Sequence, residues 1–150
     1  MSTESVVVAG LAARRDPGDL VGLEADAVDL TAQERRRPRR RVVTRAERVL
    51  TLMLPPGEIL IPGELLHVGP GWYVTVEAAS EALLAVRPRS PREGIRVALE
   101  VGRLHAALAV SGPRLLVPDE PAMERLLRRL AVPWERTHEP FLPVSTGSPH

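Results

Sequence analysis

Just after Ala79 the chain passes from apolar runs of one kind to runs of two alternating kinds, and no other feature narrows the possible folds as much. Before that point every run is of β type. Ser5-Val-Val-Val-Ala-Gly10 is β-branched, Leu23-Glu-Ala-Asp-Ala-Val-Asp-Leu30 alternates apolar with acidic residues at period two, and Arg41–Thr44 and Val49–Leu54 continue the pattern. Pro55-Pro56-Gly57 and Pro62-Gly63 cut Glu58–Ile61 and Glu64–Leu66 into short pieces, and His67-Val-Gly-Pro-Gly71 leads into Trp72–Glu77. Residues 1–79 are therefore expected to form a small all-β domain.

After Ala79, strands and helices alternate. Glu81–Arg87 reads as a strand. Ser90-Pro91-Arg92-Glu93 then carries a helix start: a serine able to cap free amides, proline at the first helical position and a glutamate placed for a capping box. Ile95, Ala98, Leu99 and Gly102 share one face at helical spacing and are expected to face the core. His105–Val110 and Arg114–Val117 read as a hairpin around Ser111-Gly112-Pro113, and Asp119 as the cap of a second helix with Met123, Leu126, Leu127 and Leu130 buried. Trp134–Phe141 closes the domain as a strand. The order β-α-β-β-α-β over residues 80–142 predicts a ferredoxin-like domain, with 143–150 as a flexible tail. The fold class expected is thus α+β.

Composition excludes several kinds of chemistry. The chain has no cysteine, which removes disulfides, thiolate metal ligands and thiol nucleophiles together. Its 20 basic residues are all arginine, so neither a Walker lysine nor a Schiff base is available. Gly-x-Ser-x-Gly and His-Glu-x-x-His are absent, and His138-Glu139 is followed at once by Pro140, which a metalloprotease helix would not admit. These absences argue against an enzyme. The uncharged stretch Ser5–Ala13 is too short to cross a bilayer, and the chain reads as cytoplasmic with no membrane partner.

Charge is blocked along the chain. Residues 1–34 carry 2 basic and 7 acidic side chains, 35–50 carry 8 and 1, 51–86 carry 0 and 4, and 87–150 carry 10 and 7. The basic block begins with Arg35, Arg36, Arg37, Arg39, Arg40 and Arg41. Such a run can repel copies of the same edge strand, meet an acidic protein partner, or neutralise phosphates. The formal net charge of +1 and only four aromatic residues speak against nucleic acid.

Of the four histidines, His67, His105, His138 and His150, no pair sits at ligand spacing, and each alone reads as structural. His105 differs by falling where a helix ends and a strand begins. One edge histidine becomes a metal site when a two-fold axis brings its copy alongside.

From Arg36 to Phe141 the chain resembles the UreE family of urease accessory proteins, which are nickel metallochaperones. That family runs from an Arg-rich strand to a Leu-Pro-Arg-Gly turn and a Gly-Asp-x-Leu turn, for which this chain has Leu52-Met-Leu-Pro-Pro-Gly57 and Pro62-Gly-Glu-Leu-Leu66. Its Val-x-Ala-Ala-x-Glu strand is matched by Val76-Glu-Ala-Ala-Ser-Glu81. The helix ending in Gly-Asn-Arg-His and the Ala-Pro-Phe-x-Pro close are matched by Gly102-Arg-Leu-His105 and Glu139-Pro-Phe-Leu-Pro143. The resemblance implies an N-terminal domain used for protein contact and a C-terminal domain that forms a homodimer. It further implies that His105 and its two-fold mate hold one nickel ion, that the tail histidine, His150, joins or exchanges in the coordination, and that urease apoprotein and its accessory GTPase complex are the partners. Zinc or copper could enter such a nitrogen site in vitro. A second reading keeps the fold without the metal: a scaffold that docks an acidic partner through the arginine run.

Overall fold

The computed structural model describes residues 6–11 and 17–144. The chain divides into two compact units, Met1–Ala79 and Ser80–His150.

Among its described residues the first unit has six strands: β1 (Val6–Val8), β2 (Glu24–Leu30), β3 (Arg39–Val43), β4 (Val49–Met53), β5 (Leu65–Gly69) and β6 (Trp72–Ala78). They form two three-stranded sheets, ordered β1-β4-β3 and β2-β6-β5. Alternation along the strands turns Val28, Leu50, Leu52, Leu66, Val74 and Val76 inward, and both sheets share this one aliphatic core. Burial of each such side chain contributes about 1.5–3 kcal/mol before the entropy of ordering is set against it. Glu58–Ile61 forms no strand. Leu60 instead plugs the core from a loop whose amide is held by the Arg35 carbonyl at 2.9 Å.

The two oppositely charged blocks at the start of the chain fold onto each other. Arg45 grips Asp29 at 2.6 Å, and Arg48 reaches both Glu24 at 2.8 Å and Asp26 at 2.9 Å. The apolar–acidic alternation read for β2 breaks at Ala27-Val28, so strict period two puts Asp26 on the face of Val28 and Leu30, and all three are buried. The Asp26 carboxylate accepts the Ala27 amide at 2.8 Å and the Ala46 amide at 3.1 Å besides the Arg48 guanidinium. Burial raises its pKa, but the hydrogen bonds from Thr44, Arg48 and the two amides outweigh it and hold the group below the ordinary value. Asp26 thereby ties β2 to the β3–β4 turn.

In the second unit, β7 (Ser80–Val86), α1 (Pro91–Arg103), β8 (Ala109–Ser111), β9 (Arg114–Pro118), α2 (Pro121–Leu130) and β10 (Trp134–Pro140) follow in the ferredoxin-like order. The antiparallel sheet runs β10-β7-β9-β8. Val97 and Val101 of α1 and Met123, Leu126, Leu127 and Leu130 of α2 pack with Leu84, Val86 and Val117 into one core.

Four local expectations are corrected. The face of α1 expected inside is outside: Ile95 is 70% and Leu99 59% exposed, and Val97 and Val101 are buried instead. Sequence spacing could not choose, because α1 carries an apolar stripe on each side. Asp119 does not cap α2; Glu120 holds the cap position without a side-chain bond, and Asp119 lies 3.6 Å from Arg136. Ser90 does cap α1, accepting the Glu93 amide at 3.2 Å, but the Glu93 carboxylate takes the Arg89 amide at 3.0 Å instead of closing the box on Ser90. Finally, β8 begins only at Ala109, because the chain after α1 makes a left-handed turn at His105.

Candidate metal centre at the end of the first helix

The stop of α1 is built by three amides turning back on the last helical carbonyls. Leu104 N–H donates to Val101 O at 3.1 Å, His105 N–H to Gly102 O at 3.0 Å, and Ala106 N–H to Val101 O at 3.2 Å. The last two form a Schellman closure, whose residue after the cap must adopt positive φ. Glycine is the usual occupant because it has no Cβ to clash. Here the residue is His105, at φ 55°. The turn thus keeps an imidazole where glycine would relieve strain; Glu47 and Ala131 share the conformation at φ 65° and 56°, and of the three only His105 carries an imidazole.

Three further observations bear on this place. First, the imidazole is exposed at a helix C-terminus, where unpaired carbonyls carry roughly half a negative charge and favour a cation. Second, Ile95 and Leu99 extend an uncovered apolar stripe along α1 toward the same end, with Leu104 half exposed beyond them. Third, Val144 N–H donates to Leu108 O at 2.7 Å, which ties the segment leading to the C-terminus three residues from His105.

Among the described residues, no group of three or more histidine and carboxylate side chains is placed to hold a metal ion. Among the described residues, no histidine joins His105 in such a group. His67 is half-buried, its ring tilted at 48° against Trp72 with centroids 5.4 Å apart, and burial alone lowers its pKa. His138 is exposed on β10. His150 lies outside the described residues. Glu100, one turn before the helix end, pairs with Arg103 at 3.3 Å.

The arginine run divides by role. Arg35 is buried, and its guanidinium donates to Leu30 O at 2.8 Å, so it cannot serve as the partner contact expected of it. It sits in a turn whose start is closed reciprocally: Thr31 N–H donates to Glu34 at 2.9 Å and Glu34 N–H to Thr31 Oγ1 at 3.2 Å. Arg40 is half-buried and 3.1 Å from Glu34. Arg36, Arg37, Arg39 and Arg41 are exposed.

Two features escaped sequence reasoning. The left-handed turn at His105 had one signal, a histidine directly after a helix-ending Gly-Arg-Leu, but nothing in the sequence fixes which residue takes positive φ. Asp26 shares strict period-two parity with Val28 and Leu30, which signals its burial, but the Ala46 amide and the Arg48 guanidinium that satisfy it lie some 20 residues on.

Comparison with known proteins gives two adjoining matches to domain families. Residues 11–79 match the UreE urease accessory protein N-terminal domain, and residues 81–149 match the C-terminal domain. The chain is therefore a urease accessory protein by domain content, and it belongs to the UreE family. It is similar to the urease accessory protein UreE of Synechococcus sp. strain JA-3-3Ab, 37% identical over 111 residues that cover 74% of each chain. It is 39% identical over 114 residues to that of Deinococcus radiodurans, covering 76% of this chain and 74% of the relative. The protein of Sinorhizobium fredii is 31% identical over 128 residues, covering 85% and 80%. Among the described residues, no helix is long and apolar enough to cross a membrane.

Proposed function

We propose that the protein is a carrier, not a catalyst: a homodimer that binds one nickel ion between its two His105 side chains and delivers it to urease apoprotein with the accessory GTPase complex. The observation that carries this is His105 itself, an exposed imidazole kept at a strained position on a helix end in a UreE-family chain. A carrier has to release its cargo. Two imidazoles with water and an exchangeable tail ligand suit that, since nitrogen matches divalent nickel and thiolates would release it more slowly. Zinc and copper would compete in vitro.

The second copy of the chain is the occupant that fits the exposed Ile95–Leu99 stripe. A two-fold axis beside the end of α1 would cover this apolar surface and pair the imidazoles in one step. The tail supports the same reading. His150 lies six residues on from Val144, a span of at most about 20 Å from an anchor beside the site. Arg36, Arg37, Arg39 and Arg41 supply the contact with the urease-related partners, in a cytoplasmic setting. Arg35 and Arg40 are occupied inside the fold.

Isothermal titration of nickel, with sedimentation on the same samples, tests the proposal. The expected result is one ion per two chains, lost in His105→Ala, with dimer strengthened by metal because binding that requires two chains favours their association. Nickel uptake unchanged in His105→Ala would refute it.

A further inference from the structure

Among the described residues, the strand β3 ends its sheet, paired on one side only, by β4. Thr44 N–H donates to Arg48 O at 2.9 Å and Leu54 N–H to Pro38 O at 3.0 Å, and these two bonds set the parity of the ladder. In an antiparallel pair, peptide groups alternate between partner and edge, so the even positions 38–44 face β4 while Arg39, Arg41 and Val43 direct their N–H and C=O groups outward. Among the described residues, no backbone group pairs with those three.

The side chains of the same residues are exposed together on the outer face of the sheet. Register places Met53 beside Arg39, and Thr51 and then Val7 beside Arg41. Among the described residues, Arg36, Arg37, Arg39 and Arg41 enter no ion pair, whereas Arg40, Arg45 and Arg48 on the same stretch do. Positive charge on an edge discourages pairing with a second copy of itself, and the same charge selects a strand of opposite sign.

We propose that the outer edge of β3 takes an extended acidic segment of a protein partner as an added strand. The backbone of Arg39, Arg41 and Val43 supplies the hydrogen bonds, and Arg39 and Arg41 supply selectivity for carboxylates at alternate positions. This rests on the partner-contact reading of the arginine run and is independent of nickel.

The probe is a dye-labelled ten-residue peptide alternating glutamate and valine, measured by fluorescence anisotropy against the full chain. In a strand the N–H groups of alternate residues face opposite edges. Methylating the amides of one alternate set should abolish binding, and methylating the other set should leave it intact. Arg39→Glu with Arg41→Glu, both at exposed positions, should weaken binding at least about tenfold, with circular dichroism checking the fold. Equal affinity for both methylated peptides would overturn strand addition while leaving the arginine contact standing. Indifference to the arginine reversals, or no binding of the parent peptide, would overturn both. Tighter binding of a single-stranded oligonucleotide of equal charge would also overturn the proposal, in favour of phosphate recognition.

Discussion

Replacing His105 with glycine should make the protein more stable while removing the proposed nickel ligand. The residue stands at φ 55° in the closure of α1. For an L-residue this conformation costs about 1–2 kcal/mol, a penalty that glycine avoids. Glycine gains back about 0.4–1 kcal/mol of freedom in the unfolded chain, which leaves a net stabilisation of about 0.5–1 kcal/mol. The informative comparison is with His105→Ala, which loses the same imidazole but keeps the Cβ and the strain. Thermal unfolding of both variants without metal, in chelator, should place the glycine variant about 2–3 °C above the alanine variant for a chain of this size. Chelator matters because bound metal would stabilise the wild type through mass action and hide the effect. A glycine variant that melts at or below the alanine variant refutes the strain argument. Nickel uptake that persists in both refutes the ligand assignment, whatever the melting temperatures.

Leu99→Ala should barely change the stability of the fold, since the side chain is 59% exposed, but it should weaken the proposed dimer. Covering that exposed fraction is worth about 1.5 kcal/mol per chain, so loss from both chains should raise the dissociation constant by about two orders of magnitude in sedimentation equilibrium; an unchanged constant places the interface elsewhere. The Glu139 carboxyl is held down from 4.5 to about 2 by the Arg114 guanidinium and by the Thr137 hydroxyl. Its folded value lies below its unfolded one, so the stabilisation is full above the ordinary carboxylate range and disappears as pH falls from about 4.5 towards 2. Acid titration of Glu139→Gln followed by circular dichroism should therefore show a flatter limb in that window, and a profile identical to wild type counts against the clamp. Asp26→Asn should destabilise the first unit by about 2–4 kcal/mol in urea unfolding, because the amides of Ala27 and Ala46 and the Arg48 guanidinium lose a charged acceptor; a change below about 0.5 kcal/mol would mean that water replaces it freely.

Elements with one apolar face were legible in the residues. The stripe Met123, Leu126, Leu127 and Leu130 admits a single burial, and α2 adopts it. Ser90-Pro91 marks a helix start that needs no distant partner, and α1 begins there. α1 itself was ambiguous: Ile95 with Leu99 and Val97 with Val101 are equally good stripes, and only the position of the sheet decides between them. Asp119 and Glu120 compete for one cap, and the settling influence is Arg136, which draws Asp119 from another strand. At the candidate site the residue type was legible, but its setting was not. Gly102-Arg-Leu-His105 names a histidine after a helix, and says nothing of the backbone conformation that makes the residue conspicuous.

Periodicity, turn residues and charge blocks are local quantities, and by themselves they determined the α+β class, the order of the elements, and a chemistry without thiols or amines. What folding alone decided depends on groups distant in the chain. It gave Asp26 its partners in a turn some 20 residues away, withdrew Arg35 into the first unit while leaving Arg39 and Arg41 on an open edge, and turned one stripe of α1 inward and the other out. The reason is physical: a residue's spacing fixes which neighbours share its face, whereas its burial and its hydrogen-bond partners depend on what the rest of the chain brings against that face.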